Sequence, residues 1–283
     1  MPEYKALKLT IENHIAHLQL NRPDEFNTMN PEFWRELPEA LREIETSDQD
    51  PRVVVLSSTG KHFCAGMDFG VFMSGLGGEL LGGPNPSRTA EMFRRLVFEL
   101  QAVFNAIERL RMPVLAAIQG GCIGGGVDFI AACDCRYATE SSFFTIKETQ
   151  LGMTADVGTL QRLPHLIPHG VMREMAYTGN SITAQRAKEI GLVNEVYPDQ
   201  EAMLAAVMEI AADIARNSPL AVHGTKEMIT YARDHSVADA LNFIATWQAG
   251  MFSPADMQEV FMAKAEKREP KFEGLKPNVK KMT

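Results

Sequence analysis

Apolar and polar residues alternate through residues 5–12 and again through 14–20, with Asn13 between the two runs. A period of two predicts half-buried strands, and an Asn at the junction predicts that they form a hairpin, closed by the breaker Asn21-Arg22-Pro23-Asp24. Pro31–Thr46 then carries helical periodicity with proline at its first position, where the missing N–H costs nothing. The uninterrupted run Val53-Val54-Val55-Leu56 predicts a strand buried on both faces. After a stretch rich in glycine and proline at 74–87, Met92, Phe93, Leu96, Val97, Leu100, Val103, Phe104 and Ile107 recur at helical spacing, which predicts a helix whose apolar stripe belongs to the core. Val114–Ile118 is a second buried strand and runs straight into Gly120-Gly121-Cys122-Ile123-Gly124-Gly125-Gly126. From about Glu201 the pattern is almost wholly helical, with Ser253-Pro254 as a helix start. The alternation predicts an α/β fold with a soft boundary near residue 200, dividing a core at 1–200 from a helical region at 201–283.

Composition narrows the class. A chain of 283 residues, 45% hydrophobic and 23% charged, can bury a sizeable core. The net charge of −8 argues against nucleic acid as the main partner, since phosphate binding needs a cationic face. No apolar run is long enough for a membrane span, and the opening MPEYKALKLTIE lacks the blocks of a signal peptide, so a cytoplasmic protein is expected. Cys64, Cys122, Cys133 and Cys135 form no C-x-x-C pair and have no histidine at ligand spacing; reduced, structural thiols and no metal site are expected.

Two glycine turns carry the first chemical signal. Ala65-Gly66-Met67-Asp68-Phe69 follows the Val53 strand, and Gly124-Gly125-Gly126-Val127-Asp128 follows the Val114 strand and opens a helix. Without a Cβ the backbone can approach a ligand closely, and its N–H groups can then stabilise an oxyanion. No Gly-Lys-Ser/Thr follows either turn, which excludes a Walker A phosphate loop. Three acids carry the second signal: Asp128 after the glycine run, Glu148 in Phe143-Phe144-Thr145-Ile146-Lys147-Glu148, and Asp156 in Thr154-Ala155-Asp156-Val157-Gly158. Singly, each could cap a helix or pair with Lys147, Arg136 or Arg162. Clustered, such acids raise one another's pKa, so that one donates a proton while another accepts.

The Ala65-Gly66-Met67-Asp68 turn, the Gly124-Gly125-Gly126 run and Gln161-Arg162-Leu163-Pro164, in this order, resemble the crotonase, or enoyl-CoA hydratase/isomerase, superfamily. The resemblance implies a β-β-α spiral core and a C-terminal helical region that assembles trimers or hexamers. It implies an acyl-CoA thioester as substrate, lined by residues 65–69 (Ala65, Gly66, Met67, Asp68, Phe69) and Gly125, and an oxyanion hole from the Met67 and Gly125 N–H groups. It implies no cofactor, coenzyme A being part of the substrate. Asp68 is expected to stabilise its own turn.

Within the superfamily the acids discriminate. Hydratases place glutamates at the positions of Asp128 and Glu148; here the first acid is one methylene shorter, and Asp156 stands where hydratases carry a small turn residue. The triplet, together with Arg233-Asp234-His235-Ser236-Val237-Ala238, resembles the Δ3,5-Δ2,4-dienoyl-CoA isomerases of fatty-acid degradation. The implied reaction moves a proton from C2 to C6 through a dienolate. Glu148 is assigned as the C2 base, Asp156 as the C6 acid and Asp128 as the group that orients Glu148, with the reverse assignment of Glu148 and Asp156 left open. The competing functions are an enoyl-CoA hydratase and a non-catalytic CoA- or RNA-binding homologue. The terminal Lys280-Lys281-Met282-Thr283 is not a peroxisomal Ser-Lys-Leu signal, which adds to the cytoplasmic expectation.

Overall fold

The computed structural model describes residues 3–71 and 85–277; most of the glycine- and proline-rich stretch at 74–87 lies outside the described residues. Strands β1 (Leu7–Glu12) and β2 (Ile15–Leu20) form the expected hairpin, paired antiparallel from Leu7↔Leu20 to Glu12↔Ile15. Its two-residue turn puts Asn13 and His14 at φ 51° and 64°, a left-handed pair that matches the twist of the strands. The helix Pro31–Thr46 starts where Asn30 accepts a hydrogen bond from Phe33 N at 2.9 Å, and buries Phe33, Leu37, Ala40, Leu41 and Ile44 along one face.

From β2 onward the six-stranded sheet grows in parallel, in the order β1-β2-β3-β4-β6-β9, through β3 (Val53–Ser58), β4 (Val114–Ile118), β6 (Cys135–Thr139) and β9 (Glu195–Tyr197). A three-stranded sheet runs β5 (Gly121–Ile123), β7 (Phe143–Thr145) and β8 (Ile182–Thr183). The chain alternates between the sheets: β4 leads to β5 and β6 to β7, while after β3 the bridge Cys64↔Cys122 joins the same layer. Repetition of two strand segments and a helix is the β-β-α spiral.

Both faces of the large sheet are covered, which is why β3 and β4 are apolar without alternation. Val54 and Leu56 point into the main core, whereas Val53, Val55, Leu115, Ala117 and Tyr137 meet Met203, Val207, Ala211 and Ala215 of the helix Gln200–Ala215. The start of the C-terminal helical region is thus packed on the sheet. The helices Pro219–Asp234, Val237–Met251 and Pro254–Glu266 follow, each opened by a serine cap; at Ser253 the hydroxyl accepts from Asp256 N at 3.2 Å. They leave Ile229, Val237, Leu241 and Phe261 exposed.

The helix Pro86–Glu108 corrects one expectation. Only Val103, Phe104 and Ile107 of its apolar stripe are buried, while Met92 and Phe93 are exposed. Its last turns reach the aromatic cluster, where Phe104 stacks on Phe129 at 5.3 Å and meets Trp34 at 5.3 Å. Periodicity records an amphipathic helix but not how far a covering layer extends along it.

Candidate active site

The two glycine turns meet at the junction of the sheets. Met29 bridges to Met67, with Met29 N donating to Gly66 O at 2.9 Å and Asp68 N to Met29 O at 3.2 Å, while Ile123 N donates to Cys64 O at 3.0 Å. A Cβ on Gly66 would stand 3.0 Å from Ile123 O and 3.7 Å from Gly125 N, and one on Gly125 would stand 3.9 Å from Met67 N. Gly66, at φ 92°, and Gly125 therefore allow the turns to abut. Among the described residues neither the Met67 nor the Gly125 N–H donates a hydrogen bond, although both sit in well-bonded turns. Two neighbouring unbonded amides, one at the start of the helix Gly125–Ala131, are suited to an anionic oxygen.

The surroundings fix these amides. Trp34 Nε1 donates to Met67 Sδ at 3.3 Å, and Met29 Sδ lies 3.0 Å from the position of a Cβ on Gly125. Met29 was not legible as a site residue, since its bridge to Met67 spans residues far apart in sequence. Gly121 N donates to His62 Nδ1 at 2.8 Å, so His62 braces the second turn. Asp68 behaves as expected: its carboxylate accepts from Gly70 N at 2.9 Å and Thr28 Oγ at 3.0 Å and pairs with Arg22 at 3.6 Å, which hold its pKa below the ordinary value. Ala65 N is tied to Phe26 O at 3.0 Å, and Phe69 is exposed. Cys64 is fully buried, and burial pushes its thiol up to about 12, so it is no nucleophile at neutral pH.

The three acids come together. Asp128 is completely buried on the helix Gly125–Ala131, next to Phe129 of the aromatic cluster, and its Oδ1 accepts from Thr159 N at 2.5 Å. Glu148 opens the short 3-10 helix Glu148–Leu151, with Oε1 3.1 Å from the position of a Cβ on Gly124. Asp156 is on the turn before the helix Thr159–Arg162 and is exposed. Burial pushes Asp128 up to about 7 against the lowering effect of its bonds to Thr159, and the charges of Glu148 and Asp156 add to the rise. Burial also raises Glu148, with Asp156 contributing, and it raises Asp156. Among the described residues Asp128 Oδ2 and Glu148 Oε2 are buried without a hydrogen-bond partner. No cation among the described residues pairs with these acids either: Lys147 bonds Gln150, Arg136 donates to Leu192 O and Cys133 O, and Arg162 pairs with Glu108. The alternative of surface ion pairs is therefore not what the fold builds. Uncompensated, partly desolvated carboxyls suit proton transfer near neutral pH.

Among the described residues no group of three or more His, Cys, Asp or Glu is placed to hold a metal ion, and no helix is long and apolar enough to cross a membrane. Thr159, which supplies the amide to Asp128, was missed in the sequence because an N–H donor leaves no side-chain signature.

Known proteins resemble this chain over most of its length. Residues 10–276 match the enoyl-CoA hydratase/isomerase family model. The mitochondrial Δ3,5-Δ2,4-dienoyl-CoA isomerase of Homo sapiens is 43% identical over 95% of this chain and 81% of its own length; the peroxisomal one of Arabidopsis thaliana is 40% identical over 97% and 99%. The crystal structure of an enoyl-CoA hydratase from Bacillus anthracis superposes with a TM-score of 0.85 at 33% identity, covering 96% of this chain and 100% of that one. The expectation of a cytoplasmic protein is corrected by these relatives, whose names place them in mitochondria or peroxisomes; absence of a signal-peptide pattern or of a terminal Ser-Lys-Leu is no positive signal for the cytoplasm. A spiral fold, paired glycine turns and full-length similarity converge: the chain belongs to the enoyl-CoA hydratase/isomerase family, the crotonase superfamily.

Proposed function

We propose that Asp128, Glu148 and Asp156 carry the proton transfers that convert a 3,5-dienoyl-CoA into the conjugated 2,4-dienoyl-CoA. The chain is a dienoyl-CoA isomerase, an enzyme that shifts carbon–carbon double bonds in fatty-acid degradation. The thioester carbonyl docks on the Met67 and Gly125 N–H groups, with residues 65–69 along the CoA side. Glu148 Oε1 lies against the Gly124 backbone, next to the Gly125 amide; C2 is bonded to the carbonyl carbon held there, so Glu148 removes the C2 proton. The charge spreads into a dienolate whose oxygen is held by the two amides. Asp156, on the more exposed turn, then protonates C6, four bonds farther along. Asp128, with its elevated pKa, keeps a proton beside Glu148 and so tunes the base. Coenzyme A enters only as part of the substrate, and no metal takes part.

One observation carries this reading: a cluster of three carboxyls with raised pKa values, unpaired with any cation among the described residues and set beside two unbonded amides. A hydratase needs two acids and a water; the third acid favours the proton shuttle. The outer helices of residues 201–283, whose apolar side chains are exposed, assemble the subunits into a trimer or a pair of trimers.

The test is ultraviolet absorbance with 3,5-dienoyl-CoA in the presence of a chelator, since conjugation with the carbonyl changes the chromophore, combined with deuterium incorporation in heavy water. Asp156→Asn is expected to slow isomerisation roughly 10²-fold while C2 exchange survives better, and Glu148→Gln to suppress both. Undiminished turnover in Asp156→Asn would remove it from the mechanism, inverted exchange patterns would swap the two acids, and loss of activity in the chelator would refute metal independence.

A further inference from the structure

The acid turn is gripped from outside by a polar stripe. Gln101, Asn105 and Glu108 lie at spacings of four and three on the helix Pro86–Glu108, and hence on one face of it. Gln101 Nε2 donates to the backbone O of Asp156 at 2.7 Å. Asn105 Oδ1 accepts from Arg162 Nη2 at 2.5 Å, and Glu108 Oε1 lies 3.5 Å from Arg162 Nε. Arg162 in turn packs against the turn itself: a Cβ on Gly158 would stand 2.0 Å from Arg162 Nη1, so the guanidinium occupies the space of the missing side chain, and Gly158 has φ 135°. Gly158 lies between Asp156 and Thr159, the donor to Asp128.

Glu108 has a second cation. Arg233, from the helix Pro219–Asp234, donates to Glu108 Oε1 and also bonds Asp234. Burial pushes the Glu108 carboxyl up, but Arg233 and Arg162 outweigh it and leave it below the ordinary range, so it stays charged. With Asp234, two carboxylates balance two arginines. The Arg162 and Arg233 segments thus converge on one carboxylate, which ties the acid turn to the C-terminal helices.

We infer that Gln101, directly, and Asn105 and Glu108, through Arg162, clamp the Asp156–Thr159 turn, and that Glu108 is a positioning residue for the distal acid. The inference rests on the catalytic reading given above for Asp156. Helix, turn and C-terminal arginine move as one unit. Releasing them lets Asp156 drift from C6 and withdraws the Thr159 amide from Asp128.

Glu108→Gln and Arg233→Met are compared with wild type and with Asp156→Asn, in kinetics, pH profile and heavy-water exchange. Each clamp variant is expected to lower kcat about tenfold with KM changed less than threefold, and to lose proton transfer at the same carbon as Asp156→Asn. Loss of the Thr159 bond, which holds the Asp128 pKa down, should also move the alkaline limb of the profile, where Asp128 gives up its proton, to higher pH. Arg233→Lys should recover part of kcat. Should Glu108→Gln be insoluble, Gln101→Leu carries the comparison, since it removes one exposed hydrogen bond and no charge. Folded clamp variants with wild-type kcat, pH profile and exchange ratio would overturn the clamp alone. If Asp156→Asn itself is fully active, the catalytic reading fails first, and the two failures are distinguishable.

Discussion

At the scale of single residues, the controlling quantity is the cost of burying a carboxylate. Asp128 is wholly buried, and only one of its oxygens has a hydrogen-bond partner among the described residues. Because its pKa of about 7 lies above the ordinary carboxylate value, the folded state binds the proton more tightly than the unfolded chain. The stability penalty is absent below about pH 4, grows by on the order of 1.4 kcal/mol per pH unit as both states ionise in turn, and levels off above about pH 7. Asp128→Asn keeps an oxygen for the Thr159 amide and removes the titration. Its advantage over wild type in urea denaturation is therefore expected to widen between pH 5 and pH 7 and to stay constant above. A difference independent of pH would mean that Asp128 is not the strained group. On the catalytic reading proposed above, this burial trades stability for a proton held near neutrality.

At the scale of elements, the spiral places strand–turn–helix units side by side so that the backbones of the two glycine turns abut. The Gly66 and Gly125 positions exist because Ile123 O, Met29 Sδ and the opposite turn crowd the space where a Cβ would be. Gly125→Val is expected to cut kcat/KM by roughly 10²-fold, the scale of losing one oxyanion donor, with the protein still folded because the nearest obstacle is the flexible Met29 side chain. Steady-state kinetics with a circular-dichroism control checks this. Full activity in folded Gly125→Val would show that the thioester carbonyl binds elsewhere. Met67→Leu, which keeps the backbone N–H, serves as the mild control.

At the scale of the whole molecule, the C-terminal segment divides in two. Its first helix closes the outer face of the sheet through Met203, Val207, Ala211 and Ala215, whereas Val237–Met251 has no buried residue and exposes Val237 and Leu241. An isolated subunit with such helices leaves apolar surface in water, which association would remove. Light scattering on the purified protein is expected to give three or six copies per particle, and Leu241→Glu to shift the population towards smaller species. A wild-type monomer at micromolar concentration would refute assembly through these helices.

Local pattern was sufficient wherever one element decides its own structure. The hairpin at Asn13, the proline that opens the helix at Pro31, the helix start Ser253-Pro254, the buried run Val53-Val54-Val55-Leu56 and the glycine turns each act through chain geometry within a few residues, so they were legible directly. The three acids were legible as a set only because the turns and the family resemblance framed them; their lack of cationic partners was not, since Arg162 sits six residues from Asp156 yet pairs with Glu108. The exposed Met92 and Phe93 and the clamp of Gln101, Asn105 and Glu108 share one helix, and nothing in its periodicity tells which faces are covered, or by what. Spacing along the chain determined which side chains share a face. Only packing of that face against segments distant in sequence decided which became core, which remained exposed and which came to hold the acid turn, because desolvation and ion pairing depend on neighbours that covalent order does not specify.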